Sequence, residues 1–169
     1  KILLQTEEIM LRAMASAQSE HQLSIATLPT FGARWLIPRL PDFVARHPDF
    51  SLNVESRSSP FDFEEANFDV AIHYGRPVWA HASCHYLCSE LIIPVANPKL
   101  LQASSGADFG KPAARSLLHL ATRPKLWAQW AAANGFELEH PYRGSRFDQF
   151  AMVIEAAVAG LGFALLPRY

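Results

Sequence analysis

Residues 23–40, LSIATLPTFGARWLIPRL, decide the fold of this chain. Apolar and polar residues alternate up to Thr27, which predicts a strand with one buried face. Pro29 and Thr30 then end the strand and begin a helix, because threonine is favoured at a helix cap and proline in the first turn. A strand that runs directly into a helix is the building unit of α/β folds.

Two prolines interrupt the helix of this unit. Its apolar residues share one face and are Trp35, Leu36, Leu40, Phe43 and Val44. Pro38 and Pro41 lack a backbone N–H, so we expect a kink or a restart near Pro38. His47 and Pro48 are expected to close the helix.

Two more strands are predicted in the first half of the chain. Residues 50–54 alternate cleanly, whereas residues 68–73 alternate less and are therefore expected to be more buried. The order strand, helix, strand, strand favours a parallel sheet.

The second half of the chain repeats this alternation. It is predicted to contain a strand at 116–122, a helix at 125–133, a strand at 145–147, a helix that Asp148 caps and Gly160 ends, and a strand at 163–166. A long strand at 86–96 would join the two halves, and residues 102–114 would form a surface loop. Two rounds of β-α-β alternation predict two α/β lobes.

The first twenty residues contain no glycine or proline and have apolar residues at helical spacing. They predict an amphipathic helix, whose apolar stripe is covered either by the following domain or by a partner helix. Before Glu7 and Glu8 the only consecutive apolar residues are 2–4, far short of the roughly seven residues of a signal-peptide core or the about eighteen of a membrane span. We therefore expect neither export nor membrane insertion.

The charge balance argues against nucleic acid as the main partner of this segment. Lys and Arg number 15 against 16 Asp and Glu, so the excess positive charge that neutralises phosphates is missing. The two cysteines are too few for a disulfide framework and fit a reducing compartment, which makes the cytoplasm the expected location.

Four potential metal ligands stand close together at His81, Cys84, His85 and Cys88. If this stretch leads into a strand, the two cysteines lie about 13 Å apart and His85 points the opposite way, so one tetrahedral site cannot use all four. The motifs of a hydrolase elbow, a phosphate loop and a zinc protease are missing from the sequence. We expect no metal, no cofactor and no enzymatic activity.

Polar and aromatic residues follow the predicted strands, where open α/β sheets bind their ligands. In the first half they are Thr27, Thr30, Phe31, Arg57, His73, Tyr74 and Gly75, and in the second half Thr122, Arg123, Trp127, Phe147, Asp148, Gln149 and Phe150. Thr30 and Asp148 also fit the plainer role of helix caps. Together these residues predict a site for a small polar ligand with an apolar portion.

The charges of this set suggest a polarity for the ligand. Free N–H groups near Thr30 and the charge of Arg123 favour an anionic or amphipathic compound. Asp148 would repel an anion, so the negative group is expected to face the first lobe and a donor group to face Asp148.

Several segments resemble the effector-binding domain of LysR-type transcriptional regulators, especially the branch of glycine-cleavage and β-lactamase activators. Residues 23–40 look like its first strand and helix, prolines included, and DVAIHYG at 69–75 like its third strand. Residues 87–98 are similar to its crossing strand, and AAVAGLG at 156–162 with ALLP at 164–167 to its last helix and strand.

The resemblance implies two Rossmann-like lobes of periplasmic-binding-protein type II, preceded by an amphipathic linker helix. Residues 1–20 would be the linker and dimerisation helix, 21–88 the first lobe, and 89–169 the second lobe without the family's return segment. The regulator would sense a small-molecule effector, form a homodimer or higher oligomer, and bind DNA through a winged helix-turn-helix outside this chain. A periplasmic solute-binding protein of the same architecture is the alternative, followed by an enzyme.

Overall fold

The computed structural model describes residues 21–103 and 116–168. The chain divides into two compact units, Lys1–Leu87 and Cys88–Tyr169. The helix predicted for residues 1–20 lies outside the described residues, and so does most of the loop predicted at 102–114. Each unit contains its own open sheet.

The sheet of the first unit is parallel, as predicted. Strand β1 (His21–Thr27) lies in the middle, between β2 (Phe50–Ser56) and β3 (Val70–Ala71). It pairs with β2 in register along its whole length, from His21 opposite Phe50 to Thr27 opposite Ser56. Because both partners run in the same direction as β1, all three strands end at one edge of the sheet.

Strand β3 differs from the prediction in length and burial. It covers two residues rather than 68–73, and Val70 is 45% exposed instead of buried. The Asp69 carboxylate accepts the backbone N–H of Ser24 at 2.8 Å, so a side chain takes a donor of β1 just before the pairing begins. The prediction of a buried third strand is therefore wrong.

The helical segment after β1 restarts at the prolines, as predicted. It begins with one α-turn, α1 (Pro29–Phe31), continues as a π-helix (Gly32–Leu36) and a 3-10 turn (Ile37–Arg39), and ends in α2 (Leu40–Arg46). The backbone N–H of Ile37 reaches back five residues to the Gly32 carbonyl. His47 is the C-cap of α2, which confirms the predicted end. The N-cap is Leu28, so Thr30 lies inside the first turn and the prediction that it caps the helix is wrong.

The second unit has a four-stranded sheet in the order β4-β7-β5-β6. Its elements are β4 (Leu91–Val95), α3 (Pro98–Ala103), β5 (Leu117–Leu120), α4 (Leu126–Ala133), β6 (Ser145–Phe147), α5 (Phe150–Val158) and β7 (Phe163–Arg168). Strands β5, β6 and β7 are parallel, whereas β4 runs antiparallel to β7. The strand predicted at 86–96 is shorter than expected, since it begins at Leu91, opposite Arg168 of β7, and ends at Val95.

Helices α4 and α5 cover opposite faces of this sheet. On one face Leu118 and Leu120 pack with Phe150 and Val153 of α5. On the other face Leu117 packs with Trp127 of α4, Phe163 and Leu165. All four residues of β5 are therefore buried, and its sequence shows no alternation because neither face meets water.

His119 is the polar residue within this core, 3% exposed. Its Nε2 lies 2.9 Å from the Arg143 carbonyl oxygen, which can only accept, so Nε2 carries the hydrogen. Burial lowers the pKa of His119 from its ordinary value of 6.5, the bond to the Arg143 carbonyl opposes this, and the charge of Arg146 adds to it. The folded protein thus holds a neutral imidazole.

We expect the free energy of unfolding to fall as the pH drops from about 6.5 through the lower folded pKa of His119. Just below pH 6.5 His119 binds a proton in the unfolded chain but remains neutral in the folded chain, so a lower pH favours unfolding. His119→Gln keeps a donor for Arg143 but does not titrate, and it should flatten this part of the profile. Urea denaturation of both proteins between pH 7.5 and 5.5 measures the difference, and parallel profiles would contradict the prediction.

Gly144 allows the turn before β6 to pack against β5. Its φ is +137°, and a Cβ there would overlap the Leu117 carbonyl. Gly135 also has a positive φ, +70°, but a Cβ there meets nothing within 4 Å.

Gly135→Ala should lower the free energy of unfolding by about 1 kcal/mol, the backbone penalty alone. Gly144→Ala should cost at least about 2–3 kcal/mol, because strain and overlap add. Equal midpoints in urea denaturation would show that the overlap is relieved without cost.

Candidate functional site

The carboxyl ends of the first sheet bring together several of the predicted site residues. Thr27 ends β1, Arg57 follows β2 and His73 follows β3. The backbone N–H of Arg57 donates to the Thr27 carbonyl at 2.9 Å, and that of Ile72 donates to Ala26 at 2.8 Å. The three connections thus leave the sheet side by side.

The junction between β1 and α1 is tightly packed. Thr27 is 2% exposed and Thr30 6% exposed, and Phe31 stacks on Trp35 with 4.9 Å between ring centroids. A Cβ on Gly32 would lie 2.5 Å from the Thr27 methyl group, so glycine is needed for this approach. Thr27 and Phe31 therefore hold the junction together in addition to standing at the predicted site.

Residues 73–75 leave this edge next to a cluster of aromatic rings. His73 and Tyr74 are exposed, and Gly75 has a φ of +137°. The His73 ring meets Trp79 edge-on at 5.0 Å, and Trp79 donates its indole N–H to the Phe61 carbonyl at 2.6 Å. The rings of Phe61, Phe63, Phe68 and Trp79 contact one another and form an aromatic cluster. His73 packs against this cluster through Trp79.

Sequence reasoning missed the aromatic cluster. Phe61, Phe63 and Trp79 lie in connections without helical or strand periodicity, which the patterns of 3.6 and 2 residues do not describe, and only Phe68 belongs to a predicted strand. The available signal was five aromatic side chains within residues 61–79, a density that a solvated loop does not need.

The corresponding edge of the second sheet carries charged residues. Arg123 follows β5, and Asp148 follows β6. Because β4 is antiparallel to β7, its beginning lies at the same edge, and Glu90 stands directly before it. Sequence reasoning missed Glu90, because it assigned no direction to the strand that it predicted at 86–96.

Glu90 and Arg123 form an ion pair, and their side chains are only 13% and 16% exposed. The Arg123 guanidinium also lies over the Phe150 ring, 5.3 Å from its centroid. The positive charge of Arg123, which was expected to bind a ligand, is therefore already paired with a carboxylate of the same unit.

Trp127 and Phe150 belong to the core of the second unit. Trp127 is 3% exposed and donates its indole N–H to the Leu118 carbonyl at 2.9 Å. Phe150 packs on Leu118 and Val153 from the first turn of α5. Both residues stabilise the elements that carry Arg123 and Asp148, and their indole and phenyl groups are used in that packing.

The remaining residues of this edge are exposed: Thr122, Asp148 and Gln149. Gln149 is the N-cap of α5, and its carbonyl accepts the N–H groups of Met152 and Val153. No side chain caps this helix, so the prediction that Asp148 does so is wrong. The helix begins one residue later than expected and leaves Asp148 in the turn before it.

The cysteines lie outside any strand in the described part of the chain. Cys84 and Cys88 are both exposed, and residues 82–90 form no regular element. The strand geometry that argued against a shared metal site is therefore not present. Within residues 21–103 and 116–168, no three side chains of His, Cys, Asp or Glu are arranged to hold a metal ion. None of the helices described there is long and apolar enough to cross a membrane.

Known proteins resemble this chain in sequence. The regulator TrpI of Pseudomonas aeruginosa is 37% identical over 141 residues, which are 80% of this chain and 47% of that protein. The glycine cleavage system transcriptional activator of Escherichia coli K12 is 30% identical over 155 residues, 91% of this chain and 50% of that protein. The chain spans about half the length of these curated relatives, which are regulators by name and not enzymes or solute-binding proteins.

Solved structures resemble it in fold. The AmpR effector-binding domain from Citrobacter freundii has a TM-score of 0.73 and 30% identity, over 87% of this chain and 72% of that one. The effector domain of AmpR from Pseudomonas aeruginosa has a TM-score of 0.73 and 31% identity, over 87% and 70%. This likeness confirms the predicted α/β class with two lobes of periplasmic-binding-protein type II.

The model of the LysR substrate-binding domain matches residues 16–169. The match starts before β1 and includes both described sheets with the polar residues at their carboxyl edges. The chain belongs to the LysR substrate-binding domain family.

Proposed function

We propose that this domain senses a small-molecule effector and dimerises within a regulator that binds DNA through a separate domain. The observation that carries the proposal is the family match over residues 16–169. The relatives are about twice as long as this chain, which leaves room for a DNA-binding domain. Such a regulator works in the cytoplasm, where its DNA is.

The proposed organisation follows the sequence prediction. Residues 1–20, which lie outside the described residues, are proposed to serve as the linker and dimerisation segment, residues 21–88 as the first lobe, and residues 89–169 as the second. Pairing of the linker segments of two subunits would give a homodimer or a higher oligomer.

The effector is proposed to bind at the carboxyl edges of the sheets. The residues proposed to form the site are Thr27, Thr30, Phe31, His73, Tyr74, Gly75, Thr122, Arg123, Trp127, Asp148, Gln149 and Phe150, of which Trp127 and Phe150 support it from the core of the second unit. Threonine hydroxyls, an imidazole and aromatic rings at the first edge suit a small anionic or amphipathic compound. Asp148 at the second edge would repel an anion, so the ligand group near Asp148 is uncharged or a hydrogen-bond donor.

Binding acts on DNA by changing the geometry of the lobes and hence of the subunits. An effector shifts such an equilibrium only by the difference between its affinities for the two states. The effector therefore has a higher affinity for the state in which more of the proposed polar contacts reach it.

We expect Thr30→Val to weaken effector binding by about 1–3 kcal/mol, the range for a buried hydrogen bond to a charged group. Thr30→Ser keeps the hydroxyl and should retain most of the affinity. Calorimetry with a panel of amino acids, carboxylates and peptide fragments finds the ligand and compares the variants. Equal affinities of the valine variant and the wild type would exclude Thr30 from the site.

The regulator itself is tested with protein expressed from the whole reading frame. It should retard DNA from its own promoter region in a gel, and the retardation should weaken steeply with salt, because phosphate contacts release counterions. The matched control is the 169-residue chain, which should not retard the DNA. A full-length product that is exported and binds no DNA would favour a solute-binding protein instead.

A further inference from the structure

The ion pair of Glu90 and Arg123 stands at the carboxyl edge of the second sheet. Glu90 lies just before β4 and Arg123 just after β5, and β7 lies between these two strands. The two side chains meet from positions 33 residues apart in the chain. The pair thus bridges two elements at the edge where the effector is proposed to bind.

Arg123 is held on two sides. Its guanidinium binds the Glu90 carboxylate and lies 5.3 Å from the centroid of the Phe150 ring. Its backbone N–H donates to the Leu120 carbonyl at 3.0 Å, which fixes the turn after β5. This cation therefore has a carboxylate partner within its own unit.

A simple anion that approaches Arg123 meets the negative charge of Glu90. At low exposure this repulsion is weakly screened by solvent and salt. Among the other charges near the strand ends, Asp148 after β6 and Arg168 at the end of β7 are of opposite sign, and Lys125, the N-cap of α4, is positive. Glu90 therefore cancels one positive charge at this edge.

We propose that Glu90 is a specificity-determining residue, which excludes ligands that bring only an anionic group to Arg123. A ligand engages the pair when it offers an anion to the guanidinium together with an N–H or ammonium donor to the carboxylate. The class selected is therefore a zwitterion, or an anion with a neighbouring amide or amine. This inference rests on the proposed function, because it names the kind of effector that this edge accepts.

The test uses two phosphate monoesters that differ in one ammonium group, ethyl phosphate and phosphoethanolamine. We expect Glu90→Gln to bind ethyl phosphate at least tenfold more tightly than the wild type, because the repulsive carboxylate is gone and the shape is kept. The gain should disappear in the double variant Glu90→Gln, Arg123→Gln. Binding is measured by calorimetry on the 169-residue chain, with the melting temperature recorded for each variant.

The preference between the two probes should change as well. The ratio of affinities for phosphoethanolamine and ethyl phosphate should fall at least tenfold from wild type to Glu90→Gln. Affinities for ethyl phosphate within twofold of each other would overturn the proposal and leave Glu90 a structural partner of Arg123. If Glu90→Gln does not fold, Glu90→Asp, which draws the carboxylate back, decides by the same criterion with a smaller gain expected.

The outcome is separate from that of the proposed function. Probe selectivity that depends on Glu90 in a protein that binds no DNA would refute the regulator and keep the specificity residue. A regulator that binds DNA but shows no such selectivity would refute only the role of Glu90.

Discussion

Parallel pairing of β1 with both of its neighbours is the constraint on which the first unit depends. Seven residues of β1 pair with β2, and Ile25 and Ala26 also pair with β3. Since the three strands run in one direction, their polar successors emerge together at one edge. Thr27, Arg57 and His73 are neighbours for this reason, although the chain separates them by up to 46 residues.

The sheet of the second unit differs, because its edge strand β4 is antiparallel to β7. Strand β4 contributes its beginning, not its end, to the edge that carries Arg123 and Asp148. This reversal brings Glu90 to Arg123 and turns an apparently cationic position into a neutral pair. The direction of one strand thus changes the electrostatic character of the edge without any change in the residues that follow β5, β6 and β7.

The sequence predicted the elements whose limits are set locally. The restart at Pro38, the end of α2 at His47, strand β6 and the glycine that follows α5 are all determined by residues at those positions. The limits of β3 and β4 could not be predicted, because they depend on pairing with strands that are distant in the sequence, β1 for β3 and β7 for β4. The cap positions were also wrong, since the N-cap of α1 is Leu28, two residues before Thr30, and that of α5 is Gln149, one residue after Asp148.

The π-helix at Gly32–Leu36 is equivalent to one residue inserted into a regular α-helix. Each residue of an α-helix turns the chain by about 100°, so the insertion sets the direction in which α2 presents Leu40 and Phe43. Removal of one residue from this turn would restore ordinary helical bonding and rotate the apolar side of α2 by that angle. The number of residues in the π-helix therefore sets the orientation of α2. A deletion there changes this orientation, whereas a substitution that keeps the length does not.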